Sequence, residues 1–133
     1  MLVTIQPSLT RYLPTSSTTM MNWVQDEFNV RKDRIKSLLK NALSKIHISF
    51  DIWTSLNCKP ILAVQSHFLS RNIHGKYEVL GALLDMVELI GVYDGGNIAK
   101  ALIKVVEDWE IDPTNMGISV SDNAINNDTT VKA

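Results

Sequence analysis

Residues 45–55 read Lys-Ile-His-Ile-Ser-Phe-Asp-Ile-Trp-Thr-Ser, KIHISFDIWTS. Apolar side chains alternate through most of the run, the pattern of a half-buried strand. Asp51 places a carboxylate inside that strand. An unpaired charge in a core is costly, so Asp51 either points outward or has a cationic partner. Which of the two holds decides how the flanking chain must fold.

Moving outward, 60–70 contains a second strand, ILAVQSHFL, reached through the turn NCKP. SRNIHGK then has the look of a hairpin connection, with Gly75 free to take positive φ. YEVLGALLDM is a third strand. Three strands with short connections form an antiparallel meander. Asp94 follows as a helix cap. Ile98, Ala99, Leu102, Ile103, Val105, Val106 and Trp109 then give a wide apolar helical face from about 95 to 109. DPTN ends that helix, and MGISVSD is a fourth strand. A strand reached through a helix is expected to lie parallel to an earlier one.

Upstream, Ile35, Leu38, Leu39, Ala42, Leu43 and Ile46 share one helical face, so 21–46 is expected to be an amphipathic helical segment. Residues 1–20, rich in Ser, Thr and Pro, are expected to be a disordered tail. The remaining stretch, 47–133, is the folded α/β part. The basic residues of 31–45 read first as a solvated face. The competing reading is a helix touching the DNA backbone through Lys36 and Lys40.

The chain has 133 residues, 45% hydrophobic and 20% charged, with net charge −1. That fits one modest domain and argues against a basic protein that simply coats DNA. A single cysteine, Cys58, excludes an internal disulfide and any cysteine-pair metal site. No apolar run approaches the roughly 18 residues of a membrane span, and no secretory leader is visible.

In this order of elements Asp51 and Asp122 close the first and fourth strands. If those strands pair in parallel, both carboxylates emerge side by side at one edge of the sheet. Like charges that close repel unless a cation bridges them. Mg²⁺ or Mn²⁺ suits such a site, taking hard oxygen ligands from one or two carboxylates and adding phosphate oxygens. The plainer reading makes Asp51 a turn former and Asp122 a cap for the segment that follows.

Four stretches together, ISFDIWTSLN, LAVQSHFLS, GGNIAKALIKVVEDWEI and SDNAINNDTTV, resemble the hAT superfamily of DNA transposases (hobo/Activator type). The likeness runs from about 47 to 132. It implies a partial ribonuclease H-like fold: three antiparallel strands, a crossover helix, and a fourth strand parallel to the first. It implies that Asp51 and Asp122 are catalytic metal ligands for Mg²⁺ or Mn²⁺, and that the partners are DNA at transposon ends, in the nucleus. Trp53 beside the site reads as packing, with base stacking the alternative. Asn123 could hold phosphate or the Asp122 loop. Tyr93 and Gly96 depart from the relatives' pattern, which often has His and Glu there. The family's third acid, a Glu on a helix far downstream, has no counterpart, since Glu78, Glu88, Glu107 and Glu110 have the wrong topology and Asp128 is not the residue the family uses. The expectation is a truncated transposase fragment, related to metal-dependent strand cleavage and transfer but inactive alone. The alternative is a transposon-derived module binding DNA, a second copy or a full-length transposase, with no membrane partner.

Overall fold

The structure is a computed structural model and describes residues 13–91 and 94–121. The chain divides into two compact units, Met1–Arg34 and Ile35–Ala133. Helix α1 spans Ser17–Lys40 and so contributes to both.

In the first unit, the Thr19 N–H donates to Ser16 Oγ at 3.1 Å, and the Met20 N–H to Ser16 O. Ser16 is thus an N-cap, and residues 17–20, expected in the tail, are helical. Ser and Thr signal helix starts as well as loose chain. Arg31 Nε meets Glu27 Oε1 at 2.6 Å one turn away. Met21, Val24 and Phe28 are exposed.

In the second unit, α1 stops at Lys40 although the apolar period continues to Ile46. The Leu43 N–H donates to Leu69 O, and the Leu69 N–H to Ser44 Oγ. These bonds to the sheet draw the chain out of the helix, and Ile46 opens a strand instead. Tertiary contact has overridden local periodicity.

Strands β1 (Ile46–Thr54), β2 (Pro60–Arg71) and β3 (Tyr77–Glu88) form the expected meander, and β4 is Met116–Ser121. The sheet order is β3-β2-β1-β4. β1 pairs antiparallel with β2 and parallel with β4. Helix α2, Gly95–Asp108, makes the crossover from β3 to β4. Its cap is Asp94, whose side chain accepts from the Asn97 N–H at 2.8 Å. A 3-10 turn, Pro113–Asn115, leads into β4. The result is an α/β fold with a mixed four-stranded sheet, consistent with a partial ribonuclease H-like fold.

One face of the sheet is covered. Ile48, Phe50, Leu62 and Val64 meet Ile98, Val105 and Trp109 of the α2 segment, with Leu39 of α1 in the same cluster. At Leu84 a bulge adds one residue to β3 between the pairs Val64–Asp85 and Gln65–Leu83. Leu84 is buried there at 4% exposure. The opposite face is open among the described residues. It carries a polar column on β1 and β2, His47, Ser49, Asp51, Gln65 and His67. Apolar side chains flank it, Val79 and Met86 on β3, and Ile118 and Val120 on β4.

Candidate functional site at the Asp51 edge

Asp51 follows Phe50, whose side chain goes into the core, so the pleat turns Asp51 to the open face. It is exposed, and among the described residues it has no cationic partner. That answers the question posed by KIHISFDIWTS: the charge points outward. The Ile52 N–H donates to Asp51 Oδ1 at 2.8 Å, which orients the carboxylate against its own strand.

Asp51 is not at the end of β1, which continues to Thr54. It stands one residue past the last β1–β4 pair among the described residues. Phe50 is opposite Ser121, the last β1–β4 pair. On the other side of β1, the small Ala63 of β2 lies opposite Asp51. A pocket of about 140 Å³ opens there, lined by Ser49, Phe50, Asp51, Ala63 and Gln65. Ser49 Oγ and His67 Nε2 share a hydrogen bond of 2.9 Å on the same face. His67 therefore has a hydrogen-bond partner on its own face.

Trp53 lies two residues beyond Asp51, opposite Ile61, and is 39% exposed. It shares the open face with Asp51. Lys36 and Lys40 do not come to this edge. Their Nζ atoms each lie 2.7 Å from one oxygen of Glu110. That cluster adjoins Ile46, at the start of β1. Ile46 and Asp51 are five residue steps apart along β1, about 16 Å of extended chain. The Glu110 carboxyl is lowered from 4.5 to about 2, first by the hydrogen bond from Lys36 and then by that from Lys40. Asp122, Asn123, Asp128 and Tyr93 lie outside the described residues.

Ala63, Gln65 and Ser49 had gone unremarked in the sequence. Ser49 was within reach, two positions before Asp51 and so on its side of the pleat. Ala63 and Gln65 depend on hairpin register, which a five-residue loop does not dictate.

Among the described residues no group of three His, Cys, Asp or Glu can hold a metal ion. What the edge offers is oxygen: the Asp51 carboxylate, the Ser49 hydroxyl and the Gln65 amide. Hard divalent ions prefer such donors, and Mg²⁺ is often held by one or two carboxylates plus substrate phosphate.

The family model of the ZBED1 RNase-like domain matches residues 49–133. The chain belongs to that family. The match begins two residues before Asp51 and takes in β2, β3, α2 and β4. This is a transposase-derived RNase-like domain, in agreement with the topology. No curated protein matches the chain. No helix among the described residues is long and apolar enough to cross a membrane.

Proposed function

We propose that this RNase-like domain is of the hAT transposase type and carries the first part of its catalytic core, with Asp51 and Asp122 as a divalent-metal pair that faces DNA phosphate in the nucleus. The observation that carries this reading is the parallel pairing of β1 with β4. Phe50 pairs with Ser121, and Asp51 and Asp122 are the next residues of the two strands in sequence, which supports a joint role for them. A carboxylate on a paired strand is held with little freedom, which is what metal ligation requires.

In this reading Asp51 holds the ion through the oxygen that the Ile52 N–H leaves free, with Asp122 as its partner. Mg²⁺ or Mn²⁺, when bound, supplies positive charge to phosphate oxygens and activates water. Ser49 and Gln65 border the same hollow and offer hydrogen bonds to phosphate or ligand water. Trp53, on the open face beyond Asp51, presents a ring on which a base can stack. Asn123 follows Asp122 and is assigned to phosphate or to holding that loop. Lys36 and Lys40 contact DNA only if they leave Glu110, so their share in binding is minor. One acid among the described residues stands at this edge, so the activity proposed for this stretch alone is metal and DNA binding rather than strand cleavage.

The test is Mn²⁺ binding followed by electron paramagnetic resonance, with and without a short DNA duplex. Asp51→Asn and Asp122→Asn should each weaken binding about ten-fold or more, as expected when one charged ligand is lost. Binding unchanged in both variants would end the metal reading. Metal-dependent nicking by the wild-type chain that both substitutions abolish would overturn the inactive part.

A second reading is favoured by the open sheet face, where Val79 is 76% and Ile118 67% exposed. Apolar surface of this kind marks association. In that reading the domain is a module that binds a second copy or a full-length transposase.

A further inference from the structure

The β1–β4 ladder slips at its start. Ile46 pairs with Met116 and Ile48 with Ser119, so His47 alone stands against Gly117 and Ile118. A bulge of this kind takes one residue out of the backbone ladder. Its N–H then needs another acceptor. The acceptor here is a side chain: the Ile118 N–H donates to His47 Nδ1 at 3.2 Å. The ring also sits tightly on the bulge. A Cβ at Gly117 would lie 2.6 Å from His47 Nδ1, 2.7 Å from its Cε1 and 3.2 Å from Lys45 Cβ. Glycine is what lets the imidazole reach the backbone of β4.

A ring nitrogen accepts a hydrogen bond only while it carries no proton. We propose that His47 is a pH-sensitive positioning residue: its neutral imidazole latches the start of β4 to β1, and protonation opens the latch. Histidine is the side chain that ordinarily changes charge between about pH 5 and 8. The groups around it reinforce the switch. On β2, His67 stands directly opposite, with Ser49 Oγ on its Nε2. Ahead of β1, Lys45 adds a positive charge and donates to Thr114 O. β4 itself, MGISVS, has no ionisable side chain to offset a charged ring. Protonated His47 therefore gains no partner on β4, loses the Ile118 bond, and has Lys45 and His67 rather than a carboxylate beside it. The contact is present when the ring is neutral and is lost as pH falls.

The latch stands on the β1–β4 geometry alone. Its consequence, that it helps hold the strand leading to Asp122, rests on the metal reading. Hydrogen exchange by NMR on the full chain tests it. After correction for intrinsic rates, protection of the Ile118 amide should fall about ten-fold between about pH 8 and about pH 5.5. His47→Phe should show the low value at both. His47→Asn keeps an acceptor oxygen that does not titrate, so protection should be restored and independent of pH. His67→Gln should leave the pH response in place. Equal protection at both pH values in the wild type overturns the proposal, and so does a pH response that persists in His47→Asn. If His47→Phe does not fold, the coupling across the hydrogen bond between the Ile118 nitrogen and His47 Nδ1 decides. It is expected at about pH 8 and lost at about pH 5.5, and its absence at the higher pH overturns the latch. Should the wild type bind no Mn²⁺ while the amide response holds, the metal reading fails and the latch stands.

Discussion

Glu110 joins two lysines that lie 74 and 70 positions earlier in the chain. The pair holds its carboxyl near 2 instead of 4.5. A depressed carboxyl adds stability above its ordinary value and loses that contribution as pH falls toward the folded-state value. Asp112 has the same sign, since the Thr114 hydroxyl and N–H lower its carboxyl. The advantage of wild type over Glu110→Gln in urea midpoint should be full at about pH 6, shrink below about pH 4.5 and vanish near pH 2. Salt should reduce it throughout, because the group is exposed. An advantage independent of pH would contradict the assignment. The basic side chains were visible in the sequence as part of a helix face. Their partner was not, because nothing local links Lys36 to a residue beyond the next helix. Asp51 was legible for the opposite reason: a carboxylate in an apolar alternation is conspicuous without any knowledge of what lies around it.

Helix α2 is the element whose limits the sequence states most clearly. Asp94 is a cap with a Gly pair after it, and the apolar face runs unbroken to Trp109. One weakness remains in its first turn. Gly96 is exposed, and a Cβ there would meet only Asp94 Oδ1, at 3.5 Å. Gly96→Ala should therefore stabilise the domain by about 0.5–1 kcal/mol, through reduced freedom of the unfolded chain. A thermal or urea midpoint that falls would show that Gly96 serves a contact not visible in the helix itself. Helix α1 and strand β4 were less legible. The exit of α1 depends on Leu69 and Ser44 meeting across the fold. The slip in β4 depends on a histidine that belongs to another strand.

The sheet of the Ile35–Ala133 unit has one covered and one open face, and the open one governs how the protein behaves at concentration. Val79 and Val120 project there at 76% and 56% exposure. Light scattering should detect association that grows with concentration. Val79→Thr combined with Val120→Thr should reduce it while changing stability by no more than about 0.5 kcal/mol, as usual for exposed positions. A strictly monomeric wild type at high concentration would end the association reading. The covered face could be read from periodicity, since buried positions repeat. The open face could not, because a strand of mixed polarity does not say what lies over it. Finally, the parallel pairing of β1 with β4 sets an order of events during synthesis. The meander can form as soon as residue 88 has left the ribosome, with each strand beside the one made just before it. β1 must then wait, one side unfilled, for a partner 71 positions later. Closure over such a distance is slow. The Asp51 edge is thus begun by the first strand of the sheet to emerge and stays incomplete until the strand beyond the crossover helix has followed.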